Sequence, residues 1–214
     1  MLRQFAGFFN FFKWLAYNYP YRLLLSLLLL GGVLWHGGWQ NDLELRDNRG
    51  RTALIIAAEA GDLAQVEALL AQGAEVNACD DCRWTALLIA SQKGHLEVVR
   101  RLLQHGADLQ AQDRAGYSAV MVAAMENRHQ VLAYLLQQGA EPNHYDSSMG
   151  WSGLIWAAKS GHLESAEQLR LHGAQLSWRD FSGRSALDWA KEAQQWQMVA
   201  LLKAWGESEE GVAE

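Results

Sequence analysis

The hydrophobic positions along the chain fall into two regimes. From Pro20 to Trp39 the sequence is largely apolar, and it is densest at 23–35, LLLSLLLLGGVLW. Beyond residue 45 the apolar residues come in short clusters, broken by glycine and polar residues at regular distances. Thr52-Ala53-Leu54, Thr85-Ala86-Leu87, Ser118-Ala119-Val120, Ser152-Gly153-Leu154 and Ser185-Ala186-Leu187 recur at intervals of 33, 33, 34 and 33 residues. A second landmark keeps step at Gln72-Gly73-Ala74, His105-Gly106-Ala107, Gln138-Gly139-Ala140 and His172-Gly173-Ala174. A period of this length marks a repeat array, in which each unit buries its apolar face against its neighbours.

Each unit reads as helix, turn, helix and hairpin. The Thr or Ser hydroxyl caps a first helix by accepting a hydrogen bond from its first turn. Alanine pairs such as Ala57-Ala58 and Ala157-Ala158 let that helix pack closely. Gly61, Gly94 and Gly161 suit a tight inter-helix turn that needs positive φ. Val98, Val99, Leu102 and Leu103 form the core stripe of a second helix ending at Gly106. An extended stretch with a turn at Asp113 to Gly116 leads to the next unit. The pattern predicts an all-α repeat solenoid of about five units following an N-terminal transmembrane helix. The expected repeats are 47–79, 80–112, 113–145, 146–179 and 180–206.

These landmarks resemble the ankyrin repeat over residues 45–206. Asp47, Gly50, Thr52, Leu54 and Ala57 match the family's D-x-x-G-x-T-P-L-H-x-A opening, with Ala53 replacing its proline and Ile55 its histidine. The histidine position holds Ile55, Leu88, Met121, Ile155 and Asp188. In the family that histidine braces neighbouring units by hydrogen bonds, so the apolar substitutes imply bracing by packing instead. The last unit keeps Asp180, Gly183, Ser185 and Leu187 but has Gln194-Gln195 at the inter-helix turn, a polar end such as a solenoid needs to face water. Residues 207–214 read as a disordered acidic tail.

Charge changes the picture at the front. Residues 1–40 carry +3, from Arg3, Lys13 and Arg22, and the remainder carries −9. An acidic body argues against nucleic acid, whose phosphates need the opposite field. The eight leucines of 23–35 favour membrane insertion by about 2.5–5 kcal/mol. As a helix, residues 20–39 span about 30 Å, the hydrocarbon thickness of a bilayer. Tyr17, Tyr19 and Tyr21 mark one edge, Trp35 and Trp39 the other. Basic residues only upstream place the N-terminus in the cytoplasm and the array across the membrane, in the periplasm if the membrane is a bacterial inner one. A cleaved secretory signal is the rival reading, but no Ala-x-Ala site precedes Asn41. Phe5, Phe8, Phe9, Phe12, Leu15 and Ala16 recur at helical spacing, as an interfacial segment over 1–19 would have them. Residues 40–46 then serve as a linker.

Candidate chemistry is sparse. Cys79 and Cys82 form one C-x-x-C between the first two units. With no second pair for zinc, the readings are a local disulfide or two free thiols, with thiol exchange a distant third. His95, His162, His105 and His172 recur at two structural slots, a scaffold pattern, and no hydrolase, nucleotide or metalloprotease motif appears. The chain is therefore expected to be no enzyme, with no cofactor, metal or small-molecule substrate. Just before each landmark hydroxyl stand Arg51, Trp84, Tyr117, Trp151 and Arg184, which stacking brings into one row along the concave side. Trp, Tyr and Arg are enriched at binding hot spots, so this row is the expected contact with a protein partner. Arg49, Arg114 and Phe181 lie beside it, and Gln92, Lys93, Met125, Glu126 and Lys159 extend it. An inserted residue near Ser147-Ser148-Met149 lengthens one hairpin tip. Trp156, Trp178, Trp189, Trp196 and Trp205 are assigned to the core or its shoulder. The expected function is a membrane-tethered interaction module, and a dedicated protector of one partner enzyme is the alternative.

Overall fold

The computed structural model describes residues 42–210. The expected interfacial segment 1–19 and membrane helix 20–39 lie outside them. Within them, no helix is long and apolar enough to cross a membrane. A 3-10 turn at Asp42–Glu44 precedes five helix pairs. These are α1 (Ala53–Ala60) and α2 (Leu63–Ala71), α3 (Ala86–Lys93) and α4 (Leu96–Gln104), and α5 (Ala119–Met125) and α6 (His129–Gln137). Then come α7 (Gly153–Ser160) and α8 (Leu163–Leu171), and α9 (Ala186–Glu192) and α10 (Trp196–Glu210).

Every first helix begins at its landmark hydroxyl. Thr52, Thr85, Ser118, Ser152 and Ser185 each accept the backbone N–H three residues on, at 3.3–3.4 Å. Asp188, at the family's histidine position, completes a capping box by accepting the Ser185 N–H at 3.0 Å. The inter-helix turns need one left-handed residue each. Gly61, Gly94 and Gly161 supply it at φ 72°, 86° and 75°, whereas the third and fifth units use Asn127 and Gln194 at 52° and 58°.

The apolar substitutes at the histidine position do pack: Ile55, Leu88, Met121 and Ile155 are fully buried. Ala57, Ala90, Ala123, Ala157 and Ala190 occupy one equivalent buried position, and their small size lets the first helices lie close together. The second helices approach one another less, α6 and α8 excepted. Because the first-helix row is the tighter one, the stack bends towards it, and first helices and hairpins line the concave side.

Polar bracing is present too, moved to the inter-helix turn. His95 Nε2 meets Glu59 O at 3.2 Å, Arg128 Nε donates to Gln92 O at 3.0 Å, and His162 Nδ1 meets Ala124 O at 3.1 Å. Each thus satisfies a carbonyl near the end of the preceding unit's first helix. Gly61 is doubly required, since a Cβ there would stand 2.6 Å from the His95 ring.

The two ends depart from expectation. Leu43 packs on the core and Glu44 Oε1 accepts the Glu75 N–H at 3.0 Å, so these two residues of the expected linker dock on the first unit. At the other end α10 runs through Gly206 to Glu210, four residues into the expected disordered tail. Trp196, expected in the core or shoulder, is 66% exposed because it opens α10 on the outward side of the last turn. Trp156, Trp178, Trp189 and Trp205 are partly buried against the core.

Candidate functional site

Each hairpin is organised by the aspartate that opens it. Asp80 Oδ1 accepts the N–H groups of Cys82 and Trp84, both at 2.8 Å, and Asp113 Oδ1 those of Ala115 and Tyr117 at 2.8 and 2.9 Å. Asp47 does the same for Arg49 and Arg51, and Asp180 for Ser182 and Arg184. At the lengthened hairpin Asp146 takes Ser148 and Met149 on one oxygen and Trp151 on the other. This geometry holds the residue before each cap at the concave rim.

The second carboxylate oxygen ties units together. Trp84 Nε1 donates to Asp113 Oδ2 at 3.1 Å. Trp151 Nε1 and Trp189 Nε1 both donate to Asp180 Oδ2, at 3.0 and 2.8 Å. Burial opposes the charge of Asp180, yet donors from Ser182, Arg184 and Trp189 prevail and hold its pKa at about 2. The Arg51 backbone N–H and guanidinium hold Asp47 at about 2 as well, and that guanidinium also pairs with Glu59. Burial, and then the charges of Asp146 and Asp113, push the Tyr117 hydroxyl upward.

The five residues before the caps hold equivalent positions, but they differ in what they offer. Trp84, Tyr117 and Arg51 are half-buried, and Arg184 is exposed, pairing with Glu192. Arg49 is exposed and Arg114 Nη2 donates to Asp81 O at 2.6 Å. Phe181 is 63% exposed. Trp151 needs correction as a contact residue: it is only 2% exposed. Its ring lies 4.6 Å from both Trp156 and Trp189, and the Lys159 ammonium covers it at 4.5 Å. Large side chains from α7 and α9 close over it, and its indole N–H is spent on Asp180.

Two residues that sequence reasoning assigned to the core belong to the concave floor. Trp156 and Trp189 occupy the fourth position of their first helices, as do Ile56, Ile89 and Val122. Aligning the units on the cap would have exposed this column. Lys159 shares its register with Glu59, Gln92, Met125 and Glu192. The face has two recesses. One, of about 330 Å³, lies between the first two units and is bounded by Arg51, Glu59, Trp84, Gln92 and Lys93. The other, of about 410 Å³, opens between the fourth and fifth hairpins, with Met149 and Phe181 at its rim and Trp151 and Trp189 beneath.

Cys79 and Cys82 are free cysteines in this structure, the second of the two readings. Cys79 is half-buried and pairs across the hairpin with Thr85, while Cys82 is exposed at the tip. The Asp80 hydrogen bonds already fix the turn between them. His105 and His172 bond the carbonyls of Arg101 and Gln168 within their own helices, as scaffold residues do. Among the described residues no His, Cys, Asp or Glu cluster is placed to hold a metal ion.

Family models described as ankyrin repeats (3 copies) match residues 12–113, 54–146 and 120–209. No curated protein matches the chain.

Proposed function

The chain belongs to the ankyrin-repeat family, and from that premise we propose that it is a membrane-tethered module that grips a partner protein with its concave face. Ankyrin repeats are in general protein-interaction modules. The observation that carries the reading is the set Ile56, Ile89, Trp156 and Trp189 below the hairpin row, which stays at least partly exposed where the equivalent Val122 is fully buried. It forms an apolar and aromatic floor, flanked by Lys93, Lys159 and Arg184. Aromatic anchors with a cationic rim are the composition of an interface core. The tether rests on the sequence of 20–39 alone: its length, its leucines, its aromatic edges and the basic residues before it. The same asymmetry supports an array on the far side of the membrane, the periplasm if that membrane is a bacterial inner one.

Photo-crosslinkers at Trp84, Tyr117 and Phe181 of the full chain in living cells test the binding face, with controls at Gln130 and Glu167 on the second helices. Adducts to one protein from the concave positions alone are expected. Equal adducts from both faces, or none from either, refute the concave assignment. Protease added to spheroplasts tests the topology, and an array protected until lysis refutes it.

A further inference from the structure

The cations of the concave face are not equally satisfied. Arg51 pairs with Asp47 and Glu59, and Arg184 with Glu192. Lys159 is different. Its ammonium sits 4.5 Å over the Trp151 ring and 4.8 Å over the Trp189 ring, partly buried, with no carboxylate within ion-pair distance among the described residues. Asp180, beneath the same rings, turns one oxygen to both indole N–H groups and the other to Ser182 and Arg184. Its hydrogen-bonding capacity is committed to the scaffold, and it holds the two rings fixed.

The surroundings of Lys159 add a second feature. The Arg184 guanidinium lies 4.7 Å over the opposite partner of the pair, the Trp189 ring, so two cations share one aromatic floor. Beside them opens the recess of about 410 Å³, whose rim residues Met149 and Phe181 are large, apolar and exposed. A cation lacking an anion and an unfilled apolar notch are thus contiguous on one unit boundary, fixed by the same Trp–Asp180 bonds. Each asks for a different group, and one short peptide segment supplies both.

We infer that the boundary between the fourth and fifth units recognises a partner segment in which an acidic side chain stands next to a bulky apolar one. The carboxylate meets Lys159, and the apolar side chain enters the notch between Met149 and Phe181. This rests on the concave-face reading and specifies its partner. A carboxylate on a partly desolvated cation that is already positioned gains more than at a free surface lysine, because little side-chain ordering remains to be done. The flanking aromatic area supplies the non-polar contact that hot spots require.

The test uses the full chain in detergent micelles, immobilised, and a random dodecapeptide library displayed on phage. Retained peptides are expected to share Asp or Glu beside Phe, Leu, Ile, Met or Trp. As synthetic peptides they bind wild type about tenfold more tightly than Lys159→Gln, and Lys159→Arg restores the binding. Phe181→Ser weakens the same peptides, and raised salt weakens their binding to wild type but not to Lys159→Gln. The three variants change two side chains, Lys159 and Phe181, that make no hydrogen bond to the scaffold, and circular dichroism checks their fold. Retained peptides that lack an acidic residue, or that bind Lys159→Gln as well as wild type, overturn the inference, as does a library that yields no peptide. Concave crosslinks in cells, scored separately, then decide whether the broader reading survives.

Discussion

Removing the Asp180 carboxylate is the sharpest probe of how the last two units hold together. Five donors converge on it: the Ser182 N–H and hydroxyl, the Arg184 N–H, and the indoles of Trp151 and Trp189. In Asp180→Ala the donors at the exposed tip regain water. The two indole N–H groups, both aimed at the buried Asp180 Oδ2, lose their acceptor beneath the Trp151 and Trp189 rings. Two stranded donors at about 1–3 kcal/mol each put the loss near 2–6 kcal/mol. Asp180→Asn keeps the shape but must turn its NH₂ towards one set of donors, so it should lose at least half as much. Urea unfolding of the full chain in micelles, followed by far-ultraviolet circular dichroism, measures both. A loss below about 1 kcal/mol for the alanine variant, or an asparagine variant as stable as wild type, refutes the reasoning. The pH dependence has a definite sign. The folded carboxyl titrates at about 2, below its ordinary value near 3.9. Its stabilisation is therefore present above pH ~4 and fades as pH falls towards ~2, and Asp180→Asn should lack that part of the acid limb.

Three further outcomes are expected. Ser91→Ala should stabilise the array by about 1 kcal/mol in the same unfolding assay, because the Ser91 hydroxyl is buried without a partner and the equivalent Ala58, Ala124 and Ala158 fill that position apolarly. Leu88→His, which restores the family's usual residue, should destabilise by about 2 kcal/mol or more, since the site is fully buried and lined for packing; an unchanged midpoint would contradict this. Tyr117 has its hydroxyl pKa raised in the folded state, so its contribution is intact below pH ~10 and is lost as pH climbs beyond it. Tyr117→Phe should flatten that alkaline limb, and an identical alkaline midpoint in both proteins would refute it.

Local chemistry was legible in the sequence because repetition amplifies it. One Thr or Ser cap is a weak signal, but five at a 33- to 34-residue period fix the start of each first helix, and the capping bonds lie at those residues. The inter-helix glycines and the buried apolar residues at the histidine position followed from the same alignment. The surface was less legible. The residues before the caps hold equivalent positions, yet their exposure depends on what crosses over them from the next unit. Trp84 and Trp151 look equivalent in sequence, but α7 and α9 bring Trp156, Lys159 and Trp189 over Trp151 alone.

By itself, then, the sequence determined the repeat, its helices and turns, the acidic body and the apolar stretch at 20–39, since each depends on neighbours along the chain. The tertiary structure decided which aspartate oxygen binds which indole, that the polar bracing moved to His95, Arg128 and His162, and that Lys159 stands over two tryptophans without an anion. Those pairings join residues up to 38 positions apart, as between His162 and Ala124. Their outcome is set by the spacing and tilt of stacked units, which no single unit's sequence encodes.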